Sequence, residues 1–452
     1  MRDGLAVIGL LLASSAVAQP ADVPWRASEK LGLTWLRFGL EHRVRAEHLA
    51  HDFRHDGDSS GLSLRSLLSA ELRLASLVVG AELQDARGWF PSSTPLNTTH
   101  VNPLEPLQAY AGLRLAGVVE AGDTLSLSAG RLTLDVGSRR LVARNEFRNT
   151  INAFTGVDAW WASAAGDLVR GFAAIPVQRR PSQRDALATA RVEIDRENTN
   201  ALVWGVFLQS RPLNARVQLD AAVFGLHERD GEVASSNRQL VTQTLRALRA
   251  PHAGALDFQL EVMTQLGASH ATAAASDTTP LRHVAFGAHA ELGFRFAVPW
   301  EPRALLQYDY ASGDANPDDG VNGRFDPLFG ARRFDLTPTG LWGALPRSNI
   351  NTPGLRVEVH PHPRVDAFVA WRVMWLASAR DAWTVTGLRD PTGRAGAFLG
   401  QQGDARLRWH VFPRNLSVEV GGALLVPGTF VVANQGSWAP SLYAYSQLVG
   451  SL

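Results

Sequence analysis

Segment after segment of this chain alternates apolar and polar residues, which is the period of a β-strand with two unlike faces. In VDAFVAWRVMW, residues 365 to 375, Val365, Ala367, Val369, Trp371, Val373 and Trp375 share one face, and Asp366, Phe368, Ala370, Arg372 and Met374 the other. ARVQLDAAVFGLHE sets Arg216, Gln218, Asp220 and Glu228 against Val217, Leu219, Ala221 and Val223. LDFQLEVMTQ sets Asp257, Gln259, Glu261 and Gln265 against Leu256, Phe258, Leu260 and Val262. A soluble sandwich also alternates, but its apolar faces need a partner sheet and its polar faces meet bulk water.

Counting the segments separates these cases. Eighteen can be placed, near residues 31–47, 64–75, 77–87, 106–118, 123–131, 154–163, 168–178, 200–209, 216–227, 238–249, 256–267, 282–296, 303–312, 353–360, 364–376, 402–411, 415–426 and 441–451. Short turns, such as Ala75-Ser76 and those at 118–122, 164–167, 251–254, 361–363 and 412–415, alternate with long polar connections. Short periplasmic turns and long extracellular loops are the plan of an outer-membrane barrel. The predicted fold class is therefore all-β: a transmembrane antiparallel up-and-down β-barrel of about 18 strands, with N- and C-termini periplasmic. Its last strand closes on its first, so no edge is left unpaired in lipid.

The chain's beginning supports export. MRDGLAVIGLLLASSAVAQP has a charged start, an apolar run from Leu5 to Leu12 and the small residues Ala16-Val17-Ala18. This is the form of a secretory signal peptide, too short in its apolar core to span a bilayer. The expected organisation is a signal peptide at 1–18, a short periplasmic segment at 19–30 and a single barrel from 31 to 452 with long extracellular loops. Cysteine is absent, which removes disulfides, thiolate metal sites and a Cys nucleophile. A net charge of +1 gives no general pull toward nucleic acid. Lys30 is the only lysine among 44 basic residues, so nearly every cation is a rigid guanidinium fork able to grip a carboxylate two-handed. Trp35, Trp89, Trp160, Trp161, Trp204, Trp300, Trp371, Trp375 and Trp409 suit interfacial girdles.

GRLTLDVGSRRLVARNEFRNTINAFTGVDAWW, residues 130 to 161, resembles the Gly-Arg, Gly-Ser-x-Arg-Leu-Val, Asn and Phe-x-Gly-Val pattern of the alginate export domain family. VRAEHL at 44–49, AELQDARG at 81–88, LQAYAGLRL at 107–115, LDFQLEVMTQLG at 256–267, YDYASGDANPDDGVNGRFDPLF at 308–329 and GGALLVPGTF at 421–430 fit in the same order. The resemblance implies an eighteen-stranded barrel with an electropositive constriction, through which an anionic uronate polysaccharide leaves the cell. The chain departs from outer-membrane practice by closing on Leu452 rather than an aromatic residue, which leaves the facing of Tyr443 and Tyr445 open.

A barrel this wide holds an aqueous channel unless loops narrow it. The connection 132–153 is the candidate: Arg131, Arg139, Arg140, Arg144 and Arg148 face only Asp135 and Glu146, a local surplus of three positive charges. Arginine rings are what anion pores use; the competing account is a solvated loop on lipopolysaccharide phosphates. Arg37, Glu41, Arg43, Arg45 and Glu47, with Arg65, Glu71, Arg73 and Arg114, alternate in sign along inner faces, as bracing ladders do. Arg45, Arg65, Arg131, Arg372 and Arg406 are the wall arginines expected to touch cargo. In the loop 312–327, Asp314, Asp318, Asp319 and Asp326 are candidate Ca²⁺ ligands without EF-hand spacing. His283, His289, His360 and His410 are scattered, and no G-x-S-x-G elbow occurs.

These features point to a non-enzymatic, passive and monomeric outer-membrane channel for export of an alginate-like polysaccharide. Its expected partners are lipid, lipopolysaccharide, the anionic cargo and periplasmic export machinery, with no cofactor beyond loop-bound calcium. The alternatives are a porin for anionic sugars or organic acids, a receptor or adhesin barrel, and an outer-membrane hydrolase.

Overall fold

The computed structural model describes residues 26–214, 216–231, 233–333, 335–336 and 338–452. The expected signal peptide and most of the segment 19–30 lie outside them. Among the described residues the sheet has 20 strands, two of which, Arg196–Glu197 and Val321–Asn322, are two-residue additions in loops. The remaining eighteen form a closed antiparallel barrel. They are β1 Leu36–Ala50, β2 Ser59–Leu74, β3 Leu77–Trp89, β4 Asn102–Ala116, β5 Thr124–Leu132, β6 Phe154–Ala162, β7 Leu168–Gln178, β8 Ala201–Gln209 and β9 Gln218–Glu228. They continue as β10 Gln239–Arg249, β11 Ala255–Ser269, β12 Leu281–Arg295, β13 Arg303–Ala311, β14 Ile350–His362, β15 Val365–Trp375, β16 Phe398–Phe412, β17 Leu416–Pro427 and β18 Ser441–Ser451.

Each expected segment corresponds, in order, to one strand. The largest displacements are at the starts of β1 and β2: β1 begins at Leu36 rather than 31, and β2 at Ser59 rather than 64, where the ladder continues past the alternating stretch. Closure is made by β1, which pairs with β2 on one side and β18 on the other, with Leu49 opposite both Ser59 and Tyr443. Backbone groups that would face hydrocarbon unpaired are thereby satisfied. Leu452 extends this seam through a 2.9 Å bond from its N–H to the Leu40 carbonyl. Both described chain ends lie at the short-turn end of the barrel.

The distribution of exposure is that of a barrel turned outward to lipid. Leu68, Leu245, Leu260, Leu306, Val357, Val369 and Leu407 are exposed, whereas Arg45, Gln265, His289, Asp309 and Gln402 are buried. On β15 the inversion is explicit, with Val369 64 % and Arg372 1 % exposed. Tyr443 and Tyr445 face inward, their hydroxyls donating at 2.6 Å to Glu47 and Glu419. Trp35, Trp89, Trp300 and Trp409 are exposed, as a girdle requires. Trp160 is a correction: it packs against the interior cluster and lines a lumen cavity, because its position on β6 shares the face of Phe154 and Asp158.

The lumen is filled from the long-loop end. Loop 133–153 contributes Leu134, Val136, Leu141 and Val142, and loop 312–349 contributes Phe325, Leu336, Leu341, Trp342 and Leu345. They bury against wall residues Leu49, Phe154, Phe172, Val203, Phe207 and Phe224 in one cluster. The two loops also join backbone to backbone, Phe329 N–H to the Leu141 carbonyl and Ala331 N–H to the Arg139 carbonyl, each at 2.9 Å.

Candidate functional site: arginines in the loop-filled lumen

Loop 133–153 enters the barrel because its apolar residues need burial and because the wall offers donors for its backbone. Arg43 donates to the carbonyls of Glu146 and Arg148 at 2.9 and 2.7 Å, and Arg65 to the Glu146 carbonyl at 2.7 Å. The Asn149 amide donates to the carbonyls of Leu64, Arg87 and His100. Carbonyls that would be orphaned in a buried loop are thus paired. Phe147 lies between two guanidinium groups, 4.0 Å from Arg45 and 4.5 Å from Arg333, an arrangement the aromatic quadrupole favours.

Most lumen arginines are neutralised by a carboxylate. Arg65 pairs with Glu41 at 2.7 Å, and Arg131 with Glu105 and with Glu197. Arg144 meets Glu82 at 2.7 Å and Glu146 at 3.0 Å. Arg140, 2 % exposed, places Nε and Nη2 each 2.9 Å from the Asp335 carboxylate and Nη1 2.5 Å from Glu261. Burial works against its charge, but Asp335 and Glu261 carry its pKa above the ordinary arginine value. Arg372 lies 3.0 Å from Asp309 and donates to the Asp335 carbonyl at 2.7 Å; Arg406 pairs with Asp366. Arg45 donates to Gln447 at 3.0 Å. Arg139 is half-buried and feels the charges of Asp135 and Asp335.

Among the loop arginines with no carboxylate at ion-pair distance in the described residues are the half-buried Arg148, Arg179 and Arg332. Arg332 reaches only the carbonyls of Gly343 and Leu345, and Arg179 only the Ile151 carbonyl and the Asn152 amide. Burial, together with Arg148, Arg347 and Arg54, pushes Arg332 down to about 9. Burial and Arg148 push Arg179 down to about 10. Burial also lowers Arg148. The charge of Arg148 bears on both Arg179 and Arg332, so an anion beside Arg148 relieves part of that repulsion.

Of the arginines singled out from sequence, Arg139, Arg140, Arg144 and Arg148 lie in the inward loop, and Arg45, Arg65, Arg131, Arg372 and Arg406 line the interior wall. Arg148 among them belongs to the carboxylate-free loop group, and on the wall Arg45 likewise has no carboxylate at ion-pair distance among the described residues, its partner being Gln447. Arg179 and Arg332 were missed. The doublet Arg332-Arg333, placed in a loop without an adjacent acid before Asp335, was the available signal. Among the described residues, no three of the four candidate calcium ligands form a group able to hold a metal ion. Asp326 accepts from Arg238 at 2.7 Å, Asp318 and Asp319 are exposed, and burial and Asp381 raise the Asp314 carboxyl. Among the described residues, His289, Glu291 and Asp335 do bring ligand atoms within 4.8 Å of one another. Arg140 and Arg347 already occupy the Asp335 carboxylate.

A family model described as alginate export matches residues 34–444. No curated protein matches the chain. Three solved structures from Pseudomonas aeruginosa are similar in fold. OccK8 (OprE) has a TM-score of 0.59 at 9% identity, covering 92% of this chain and 98% of that one. OccK2 (OpdF) in complex with glucuronate has 0.57 at 11%, covering 92% and 98%. OpdK with vanillate has 0.56 at 12%, covering 92% and 98%.

Proposed function

Since the chain belongs to the alginate export family and is an outer-membrane β-barrel channel, we propose that it passes an anionic, uronate-type polysaccharide passively outward through its arginine-lined lumen. The observation that carries this is Arg148, Arg179 and Arg332, half-buried cations with no carboxylate at ion-pair distance among the described residues. A carboxylate entering this group replaces some of the solvation the arginines have lost. Along the rest of the path Glu82, Glu146 and Asp335 already hold Arg144 and Arg140, so the cargo meets competition there and binding stays weak enough for release. A linear polysaccharide threads endwise and needs a bore only one sugar ring wide, which loops 133–153 and 312–349 set.

In this proposal the short turns and both chain ends face the periplasm and the long loops face outward, following the usual plan of such barrels. The barrel acts as a monomer, because closure of β1 on β18 leaves no strand edge seeking a partner. The proposed cargo path includes Arg45, Arg65, Arg131, Arg139, Arg140, Arg144, Arg148, Arg372 and Arg406.

Conductance across a planar bilayer under a salt gradient tests the proposal. Wild-type protein is expected to prefer anions, and Arg148→Ser combined with Arg332→Ser to reduce that preference. A cation-preferring wild-type pore would sink it. A second function, uptake of single acidic sugars, is favoured by the depth to which the loops fill the lumen and by the fold shared with a barrel solved with glucuronate. Vesicle efflux separates them: permeability to monomeric uronate with none to the oligomer supports uptake.

A further inference from the structure

Away from the loop arginines, the short-turn end of the barrel contains a cavity of about 1000 Å³ reaching from the N-terminal segment to β4. A smaller one of about 170 Å³ adjoins it, and the two share Glu71, Gln108, Tyr110 and Arg114 in their linings. The larger lies within the range of roughly 300–1,000 Å³ in which small-ligand pockets fall. Arg37 and Arg114 project into it, and neither has a carboxylate at ion-pair distance among the described residues. Glu71 is already committed: one oxygen accepts from Arg73 at 2.6 Å and the other from the Tyr110 hydroxyl at 2.9 Å. The Arg114 Nε is buried without a hydrogen-bond partner, and its guanidinium carbon lies 5.9 Å from the Trp160 ring centroid.

Two aromatic rings complete the cavity. Tyr110 lies over Gly80, where a Cβ would stand only 2.3 Å from its ring carbon Cζ. Glycine at that position leaves room for the ring against the strand, and Tyr110 lines both cavities. Trp160 closes the smaller cavity beside the hydroxyls of Ser126 and Ser128.

We propose that this mouth is a second saccharide subsite, separate from the loop arginines, which holds one hexuronate residue of the incoming chain. Its carboxylate pairs with Arg114 and Arg37, its ring stacks on Tyr110 or Trp160, and its hydroxyls meet Ser126 and Ser128. An unpaired guanidinium selects a carboxylate, while aromatic faces beside hydroxyls select a pyranose over a simple anion. The proposal rests on the channel function above, and it makes the short-turn mouth the recruiting end of the path.

Single-channel recording tests it, with an acidic trisaccharide of uronate residues or a neutral trisaccharide added to one face at a time. The acidic probe is expected to block the wild-type current from the short-turn face with resolvable dwell times, and the neutral probe not to. Arg114→Gln and Trp160→Leu should each shorten the dwell by about tenfold, the scale of one charge-assisted contact. Arg114→Lys, which keeps the charge but loses the fork, should fall between. Heat-modifiable gel migration shows that each variant barrel is folded. Unchanged dwell times in both variants, or equal blockade by the neutral probe, would overturn the subsite and leave the channel function standing. A wild-type pore with cation preference and no acidic blockade would overturn both.

Discussion

Arg140 and Asp335, 195 residues apart in sequence, form a two-handed ion pair inside the barrel, with both Arg140 Nε and Nη2 2.9 Å from the carboxylate. The pair ties loop 133–153 to loop 312–349. Glu261 on β11 and Arg347 extend it to the wall and across the second loop. Although burial opposes ionisation, Arg140, His289 and Arg347 hold the Asp335 carboxyl well below the usual carboxylate range.

Removing one partner leaves a buried charge uncompensated, which costs roughly 3–5 kcal/mol. Arg140→Ala is therefore expected to loosen the paired loops while the strand ladder persists, seen as larger open-channel current and noise. A double-mutant cycle with Asp335→Ala should return a coupling of roughly 0.5–3 kcal/mol. Additive effects would show that the two loops are not held together by this pair.

Paired and unpaired arginines should behave differently. Arg332→Ser removes a cation that no carboxylate balances, so it should reduce anion preference in a reversal-potential measurement while leaving the single-channel noise near wild type. Arg140→Ser should chiefly raise the noise. Equal selectivity losses in the two variants would show that pairing does not decide which arginine meets the permeating ion.

Glu82 competes with cargo for Arg144, accepting from Nη1 at 2.9 Å and Nη2 at 2.7 Å. Glu82→Gln should leave Arg144 with Glu146 as its remaining acid and raise the local positive potential. The expected result is a higher anion-to-cation permeability ratio. An unchanged ratio would place Arg144 outside the ion path.

Docking of the loop around residues 179–197 should depend on pH. Burial, reinforced by Glu105, pushes the Asp195 carboxyl up to about 7, against bonds donated by the Arg180 N–H and the Asn102 amide. The folded value lies above an unfolded one of about 3.9. The stability it contributes is therefore fully present below the unfolded pKa and is lost as pH rises through about 7. Amide protection in this loop, corrected for the intrinsic pH dependence of exchange, should fall from pH 6 to pH 8, and Asp195→Asn should abolish that fall.

Much of the barrel was legible because alternation is local. Val369 and Arg372 declare opposite faces within a few residues, and each of the eighteen segments carries the same signal. The inward course of loop 133–153 could be suspected from Arg139, Arg140, Arg144 and Arg148. Trp160 could not be assigned, since a tryptophan near a strand end suits a lipid girdle and a lumen wall equally until the register of β6 is fixed.

By itself, then, the sequence determined the strands, their order and which face of each meets lipid, because period-2 patterning and short turns are properties of neighbouring residues. Only the tertiary structure decided which cations are spent. Arg140 and Arg148 stand eight positions apart in the same loop. One is neutralised by Asp335 and Glu261 from distant segments, and the other is left facing Arg332 and Arg179. An arginine's charge is fixed by its chemistry, but its availability to an anion depends on the carboxylates that folding brings within reach, and those arrive from the far side of the barrel.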